Sequence, residues 1–481
     1  MSPDLSNQQA WAAAAGWGRE TRMNEMEALM WRSERHPRLS STILALMVLD
    51  QPPDWNRLVA AHEWGCELIP RLRDRVLEPV LPVGPPVWVP DDQFQLDYHL
   101  RRTRLPGAGT MDALLSFTSS FALSPLDRER PLWEAVLVEG LDDGKAAYVL
   151  KMHHSLTDGL GSIQLLSLVQ SRTPEHTEDK PRPEPCAHAH VDSDPVQLAF
   201  DELGEQVRRI PGVAEQALRV GRSMLTNPGR ATSEAIRYVA SMRRVLSTGP
   251  AKPSPLLRER TGRLWRYGVL ECELNELKAA ARAAGGSVND AFVAALLGGM
   301  RRYHDLHGIQ IDTLPMGMPV SLRKSDDPMG GNKFAGALFA APVGIEDPAE
   351  RISAIRGLVL SVRTEPALDS VALLAPVVNR LPSAVGAAMH RLGMSVDMIA
   401  SNVPGSPYQT YIAGAKVERM YPLGPLPGVA VAVAMVSHVG TCCLGFNIDG
   451  SAVKDHDVLM RCFADGLDEV LQVGRVAGEN Q

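Results

Sequence analysis

Motifs that announce a chemistry are scarce in this sequence, and each absence removes a class of protein. Six cysteines occur in 481 residues, Cys66, Cys186, Cys272, Cys442, Cys443 and Cys462. None forms a C-x-x-C pair, which excludes zinc-ribbon and thioredoxin-type sites. So few thiols in so long a chain fit a reducing cytosol. There is no long basic run, and 49 lysines and arginines against 56 acidic residues leave a net charge of −7, so nucleic acid is not an expected partner. A G-x-S-x-G elbow is missing, as are G-x-x-x-x-G-K-[ST] and H-E-x-x-H. Gly159-Leu160-Gly161 does not complete a dinucleotide fingerprint, because Gln164 stands where its last glycine belongs. Long hydrophobic runs are lacking too. The best candidate, GVAVAVAMV at 428–436, is interrupted by Ser437 and His438 and is too short to span a bilayer. The opening MSPDLSNQQAWAAAAGWGRE has no basic n-region, so no signal peptide is expected from it.

What is present is a globular composition, 45% hydrophobic and 22% charged, with length for two or three domains. Residues 23–50 read as a helix followed by a strand, residues 131–154 as two strands joined by a Gly- and Asp-containing turn, and residues 160–170 as a helix. A mixed α/β unit is therefore expected over 1–172. The stretch 173–195 is rich in proline, histidine and acids, lacks apolar periodicity and reads as a linker. Alternation of Cys186, His188 and His190 within it is better explained by linker polarity than by metal binding. Residues 197–246 read as helical, and between 208 and 244 eight arginines face two glutamates, a net +6. That segment is a solvated helix face or an attraction to anionic headgroups. The connection as a whole runs over 173–255. A second α/β unit is expected over 256–481, with helices at 274–284 and 288–303 and a helical stretch at 366–394. Strands are expected at 315–322, 429–436 and 441–449.

One stretch carries chemistry: KMHHSLTDGLG, 151–161. If AAYVLKMHH is a strand, Tyr148, Leu150, Met152 and His154 share one face, and Lys151 and His153 share the other. Two rings on opposite faces do not serve one metal easily, so no metal site is expected. His154, on the more apolar face, is the candidate proton acceptor, since a neutral imidazole with an ordinary pKa of ~6.5 suits that task. His153, which shares its face with a lysine, is expected to be supportive or partly exposed. Asp158 could orient the ring, but Asp-Gly is ordinary turn chemistry, and a structural role is preferred for it. Gly159 leaves room for a close approach of backbone.

HHSLTDG fits H-H-x-x-x-D-G, and its surroundings resemble the bacterial wax ester synthase/diacylglycerol acyltransferase family, built on the chloramphenicol acetyltransferase fold. The resemblance runs through LDYHL at 96–100, SPLDRERPLWEAVLVEGL at 124–141, VNDAFVAAL at 288–296, PVSLR at 319–323, GN at 331–332 and SNVPG at 401–405. It implies two coenzyme-A-dependent-acyltransferase-like domains around a central tunnel. Acyl-CoA would enter from one side, and diacylglycerol or a long-chain alcohol from the other. It implies His154 as general base with His153 beside it, and Asp158 and Gly159 shaping the loop. Pro131, Leu132 and Trp133 would support the acyl region, and Asn289 and Asp290 a motif of the second domain. No cofactor is implied beyond acyl-CoA as co-substrate, and the location implied is cytoplasmic, with peripheral attachment to membrane or lipid bodies as the variant. Asn289, Ser401 and Asn402 are polar candidates for stabilising an oxyanion. Two departures stand out: Glu27 where the family usually has aspartate, and SPLLRERTG, 254–262, where a family asparagine is missing. Other readings of the same fold are a carrier-bound donor, or a lipid-binding paralogue without turnover.

Overall fold

The computed structural model describes residues 16–34, 38–80, 84–176, 194–200, 204, 251–321, 330–332, 334–363, 379 and 396–479. Cys186, His188 and His190, the arginine-rich segment and all but Asn379 of the 366–394 stretch lie outside the described residues.

In the first half, the helix α1 (Glu25–Ser33) precedes strand β1 (Thr42–Leu49) and helix α2 (Trp55–Leu68). A small ribbon of β2 (Asp74–Leu77) and β3 (Val87–Pro90) leads to the turn α3 (Leu96–His99) and strand β4 (Leu100–Arg104). Helix α4 (Met111–Leu123) follows, then β5 (Trp133–Glu139), β6 (Ala146–His153) and α5 (Gly159–Val169). The second half contributes β7 (Trp265–Glu273), α6 (Leu274–Ala283), α7 (Val288–Leu306), β8 (Leu314–Ser321), β9 (Phe334–Ala341) and α8 (Pro348–Arg363). It continues through β10 (Met398–Val403), β11 (Tyr411–Ile412), β12 (Ala415–Leu423), β13 (Val431–His438), β14 (Thr441–Asp449) and α9 (His456–Glu479).

The helix starts have local causes. Asp54 caps α2 and Thr110 caps α4, each accepting a backbone N–H of the first turn, while Ser287 and Asp290 close a capping box on α7. The strand expected within 315–322 appears as β8, those at 429–436 and 441–449 as β13 and β14, and the helices at 274–284 and 288–303 as α6 and α7. GVAVAVAMV therefore belongs to a buried strand, and no described helix is long and apolar enough to cross a membrane.

Among the described residues the strands form two six-stranded mixed sheets, ordered β11-β12-β1-β6-β5-β4 and β7-β14-β13-β10-β8-β9, beside the β2–β3 ribbon. The first contains a crossing that the sequence does not announce. Although β12 comes late in the chain, it pairs antiparallel with β1, Leu44 opposite Leu423 and Met47 opposite Met420. The stretch expected to stay within 256–481 thus completes the other half's sheet. Its physical effect is to cover the β1 edge, whose eight residues TILALMVL would otherwise present unpaired amides along an apolar strand.

Three apolar layers result. One face of the first sheet packs under α1, α2 and α5, and includes Tyr148, Leu150 and Met152 of β6. The opposite face, with Leu44, Leu46, Val136 and Val149, meets α4 and residues of the second sheet such as Tyr267, Ala432 and Cys443. Backbones come together there: a Cβ on Gly445 of β14 would overlap the carbonyl of Pro422 on β12. The second sheet's outer face is covered by α6 to α9.

SPLLRERTG, the departing stretch, is an anchor. The backbone N–H of Ser254 donates to Asp397 Oδ2 at 2.7 Å, and the Arg260 guanidinium bonds Asp397 Oδ1 and the carbonyls of Leu257, Val396 and Gly428. The Thr261 and Gly262 amides donate to Asp449 Oδ2, each at 2.8 Å. Arg260 and Asp397 are both buried, so removal of one partner leaves a charge in a low dielectric. Asp397→Ala should lower unfolding free energy by about 3–5 kcal/mol, read as a lower urea midpoint at unchanged slope. The double variant Arg260→Met with Asp397→Leu, which removes both charges together, should recover much of that loss.

Candidate active site

Strand β6 ends at His153 and His154 opens the turn that follows, and the two rings meet different partners. His153 is buried, and its backbone N–H donates to Leu132 O at 3.0 Å. The Ser155 N–H donates to His153 Nδ1 at 3.0 Å, which makes Nδ1 an acceptor and leaves the proton on Nε2. Glu34 Oε2 lies 2.8 Å from that Nε2. Trp31 meets the imidazole edge-on at 5.8 Å. Burial alone would raise the Glu34 carboxyl. The His153 ring at Oε2, with the Ser41 amide and Ser40 hydroxyl, instead holds it down at about 2. Glu34 thereby fixes the first histidine and the entry to β1 together.

His154 is held from both halves of the chain. Its backbone N–H donates to Ser41 O at 2.7 Å. Its backbone carbonyl accepts from Asn332 Nδ2 at 2.8 Å, and its Nδ1 lies 3.0 Å from Asn332 Oδ1. The amide orientation is set by the carbonyl, which requires a donor, so the oxygen is the atom facing the ring. An amide oxygen only accepts; Nδ1 therefore carries the hydrogen, and in the neutral ring the lone pair resides on Nε2. Burial pushes the His154 ring below its ordinary value, outweighing the upward pull of the Asp158 charge and the Asn332 hydrogen bond. A half-buried imidazole that stays neutral, with its basic nitrogen fixed as Nε2, is equipped to take a proton at neutral pH.

Asn332 is itself clamped. Its N–H donates to Glu27 Oε1 at 3.0 Å, and its carbonyl accepts from Asn24 Nδ2 at 3.2 Å. Glu27 Oε2 accepts the Asn24 N–H at 2.9 Å, closing a capping box at the start of α1. Burial raises the Glu27 carboxyl, against the two backbone N–H groups and the charge of Arg71. The departure from aspartate thus falls on a residue that caps its own helix and holds the histidine's partner.

The turn after the histidines is fixed the same way. Asp158 is the N-cap of α5, its Oδ1 accepting the Gly161 N–H at 2.7 Å, and its own N–H donates to Gly331 O at 3.3 Å. A Cβ on Gly159 would lie 2.8 Å from Val403 Cγ2 at the end of β10, so the turn approaches the second sheet only because that residue is glycine. Pro131, Leu132 and Trp133 are buried where β5 begins, with Trp133 paired opposite Met152 and its Nε1–H donating to Leu72 O at 2.7 Å. Asn289 and Asp290 open α7, and their described contacts are Met318, Ser287 and Arg356, none of them in the histidine turn. Ser401 and Asn402 lie on β10, two residues or fewer from Val403.

Beside Met152, on the face of β6 that carries Tyr148 and Leu150, lies a cavity of about 70 Å³. Its walls come from β5 and β6 (Trp133, Tyr148, Leu150, Met152), α2 (Leu58, Ala61, His62, Gly65, Cys66), α5 and Ile412. Burial pushes the Cys66 thiol up to about 12 and the His62 ring down, as expected of an apolar medium.

Asn332 and Glu34 escape a reading of the sequence alone. GN at 331–332 is visible as a motif, but nothing local ties it to a ring 178 positions earlier.

Comparison with known proteins places these features. Residues 23–292 match the wax ester synthase/diacylglycerol acyltransferase catalytic domain, and residues 330–471 the C-terminal domain of the same family. A Mycobacterium tuberculosis protein named as a diacylglycerol O-acyltransferase is 39% identical over 454 residues, 93% of this chain and 91% of that one. A Mycobacterium bovis protein of the same naming is 31% identical over 374 residues, 74% of this chain and 77% of that one. Among solved structures, the wax ester synthase/diacylglycerol acyltransferase of Marinobacter aquaeolei superposes with a TM-score of 0.63 at 22% identity, over 94% of this chain and all of that one. The first condensation domain of the calcium-dependent antibiotic synthetase does so at 0.58 and 14%, over 95% and 96%. These last two speak for the fold: two chloramphenicol acetyltransferase-like domains.

The tautomer is directly testable. In ¹⁵N-histidine NMR, His154 should appear as the Nδ1–H form and remain neutral as pH falls past the ordinary histidine value. Asn332→Ala should mix the two tautomers without changing the resonances of His304 in the second half.

Proposed function

The chain belongs to the wax ester synthase/diacylglycerol acyltransferase family, and from that premise we propose that it moves an acyl group from acyl-CoA to the hydroxyl of diacylglycerol or of a long-chain alcohol, with His154 as general base. The observation that carries this reading is the Asn332 clamp, which puts the lone pair of a neutral imidazole on Nε2. Family membership supplies the reaction class; the assignment of roles to residues rests on the geometry.

The step balances without a covalent enzyme intermediate. Nε2 takes the hydroxyl proton as the acceptor oxygen attacks the thioester carbonyl. The carbon–sulfur bond breaks, and the proton passes from the imidazolium to the departing CoA thiolate. No cofactor beyond the CoA thioester enters the reaction. As the proton arrives, the positive ring is supported by the Asn332 oxygen at Nδ1 and by the Asp158 charge. Oxyanion stabilisation is worth several kcal/mol in such reactions. Ser401 and Asn402 are favoured for it over Asn289, because β10 meets the histidine turn at Gly159 whereas the Asn289 amide is turned to Met318. His153 keeps the β6 end in place through Glu34, Asp158 shapes the turn as a helix cap, and Trp133 walls the cavity beside Met152. Both acceptors are water-insoluble, so the enzyme would meet them at a lipid surface, as a peripheral protein.

Purified protein given labelled palmitoyl-CoA with diolein or hexadecanol should form the corresponding neutral lipid. His154→Ala should lose on the order of 10²- to 10⁴-fold in kcat; wild-type rates in that variant would remove His154 from the mechanism. Acceptance of palmitate only from a carrier protein would reassign the donor. Since burial lowers the His154 pKa, the neutral base persists below the ordinary histidine range, so the acid limb of kcat/KM should fall at a pH under ~6.5. Asn332→Ala should cut kcat roughly 10- to 100-fold with little change in acceptor KM.

A further inference from the structure

Helix α1 begins with more carboxylate bonding than a helix start needs. Its cap is made by Asn24, whose Oδ1 accepts the Met26 and Glu27 N–H groups at 3.0 and 2.9 Å. A capping box asks the third helical residue for one oxygen, to receive the N–H of the cap, and Glu27 Oε2 does this at 2.9 Å. Asp290 closes the same box on α7 through its Oδ2. Glu27 differs in sending its second oxygen across the molecule: Oε1 accepts the Asn332 N–H, 305 positions away, at 3.0 Å. It does so from a buried position, where a carboxylate is costly unless it is hydrogen-bonded or paired.

The stretch that receives this bond has little means of fixing itself. Gly330 and Gly331 carry no side chains and stand in left-handed conformations, at φ 80° and 68°, which glycine enters and leaves at small cost. Neighbours therefore hold them. Gln164 Oε1 accepts the Gly330 N–H at 3.3 Å, and Gly331 O accepts the Asp158 N–H at 3.3 Å. Trp17 packs on Gly330, its indole carbons 3.0 Å from where a Cβ would stand, and its Nε1–H donates to Gly161 O at 3.4 Å. At Asn332 the start of α1 takes over. Glu27 receives the backbone N–H of Asn332, and Asn24 Nδ2 donates to its carbonyl at 3.2 Å. The side chain so placed meets the carbonyl and the ring of His154. One residue separates Glu27 from the imidazole.

We propose that Glu27 is a positioning residue for acyl transfer, which acts through the Asn332 amide to set the pose and the tautomer of His154. It touches neither the ring nor, in this reading, the substrate. The inference rests on the assignment of His154 as the base. Its chemical requirement is two acceptor oxygens at once, one for the Asn24 N–H and one for the Asn332 N–H, which a carboxylate has and a methyl group lacks.

Glu27→Ala removes both oxygens, yet leaves Asn24 as the cap and puts the best helix former in the first turn, so the fold is expected to persist. It should lower kcat roughly ten-fold with little change in acceptor KM, and it should mix the two His154 tautomers in ¹⁵N-histidine NMR. Glu27→Asp, which keeps both acceptors, should recover most of kcat and of the Nδ1–H form. In an Asn332→Ala background the side chain through which Glu27 acts is gone, so adding Glu27→Ala should cost less than about two-fold in kcat. A helix cap alone would cost the same in both backgrounds. Equal losses in the two backgrounds, an unchanged kcat, or a pure Nδ1–H form in Glu27→Ala overturns the proposal and leaves the acyl-transfer reading intact. If Glu27→Ala does not fold, Glu27→Gln, which keeps the volume and one acceptor, takes its place in both measurements with the same expectations. If the wild-type protein forms no ester from any acyl-CoA, the acyl-transfer reading fails by itself. The NMR comparison then judges the link from Glu27 to His154: mixed tautomers in the variant support it, and a single tautomer overturns it.

Discussion

A single carboxamide holds the candidate centre together. Asn332 gives its N–H₂ to the backbone carbonyl of His154 and its oxygen to the ring of the same residue, so one side chain fixes both where the imidazole starts and which way it points. An aspartate in that place would fix the same tautomer, but it would bring a second negative charge beside Asp158 and would have no donor for the carbonyl. The neutral amide orients without adding charge. Because Asn332 comes from the second half and His154 from the first, the arrangement exists only where the two halves meet. The Thr157–Gly331 bridge and the Gly159–Val403 approach hold the same seam.

Around that seam the two histidines divide the work. His153 turns inward to Glu34 and Trp31, and through Ser41 the same glutamate supports the strand whose carbonyl receives the His154 amide. The second ring can then be half-buried and uncharged while the first sits against a carboxylate held far down its titration range. Adjacent residues of one sequence motif thus have different electrostatic surroundings, because the first closes strand β6 and the second opens the turn after it.

Much of this was legible in the residues. The alternation in AAYVLKMHH predicts a strand with Tyr148, Leu150 and Met152 on one face; the strand forms and those three line a cavity, but it ends at His153, and His154 belongs to the turn that follows. The helices expected at 274–284 and 288–303 appear as α6 and α7. H-H-x-x-x-D-G with its flanks led to the family. What local pattern cannot carry is long-range pairing. AKVERMYPL reads as a strand, but nothing in it says that its partner is β1, more than 360 positions away. Asn332 and Glu34 were invisible as partners for the same reason: a hydrogen bond between distant residues leaves no periodicity. The asparagine missed at SPLLRERTG has a different explanation, since that stretch is engaged with the buried carboxylates of Asp397 and Asp449.

The crossing of β12 onto β1 bears on how the chain is made. A ribosome delivers the first half long before Ala415–Leu423 emerges, so the nascent sheet waits with one border open and apolar on both sides. Acquisition of the native state is thereby a nearly whole-chain event, and a nascent or truncated product that stops short of residue 415 retains a sticky strand in search of any other edge.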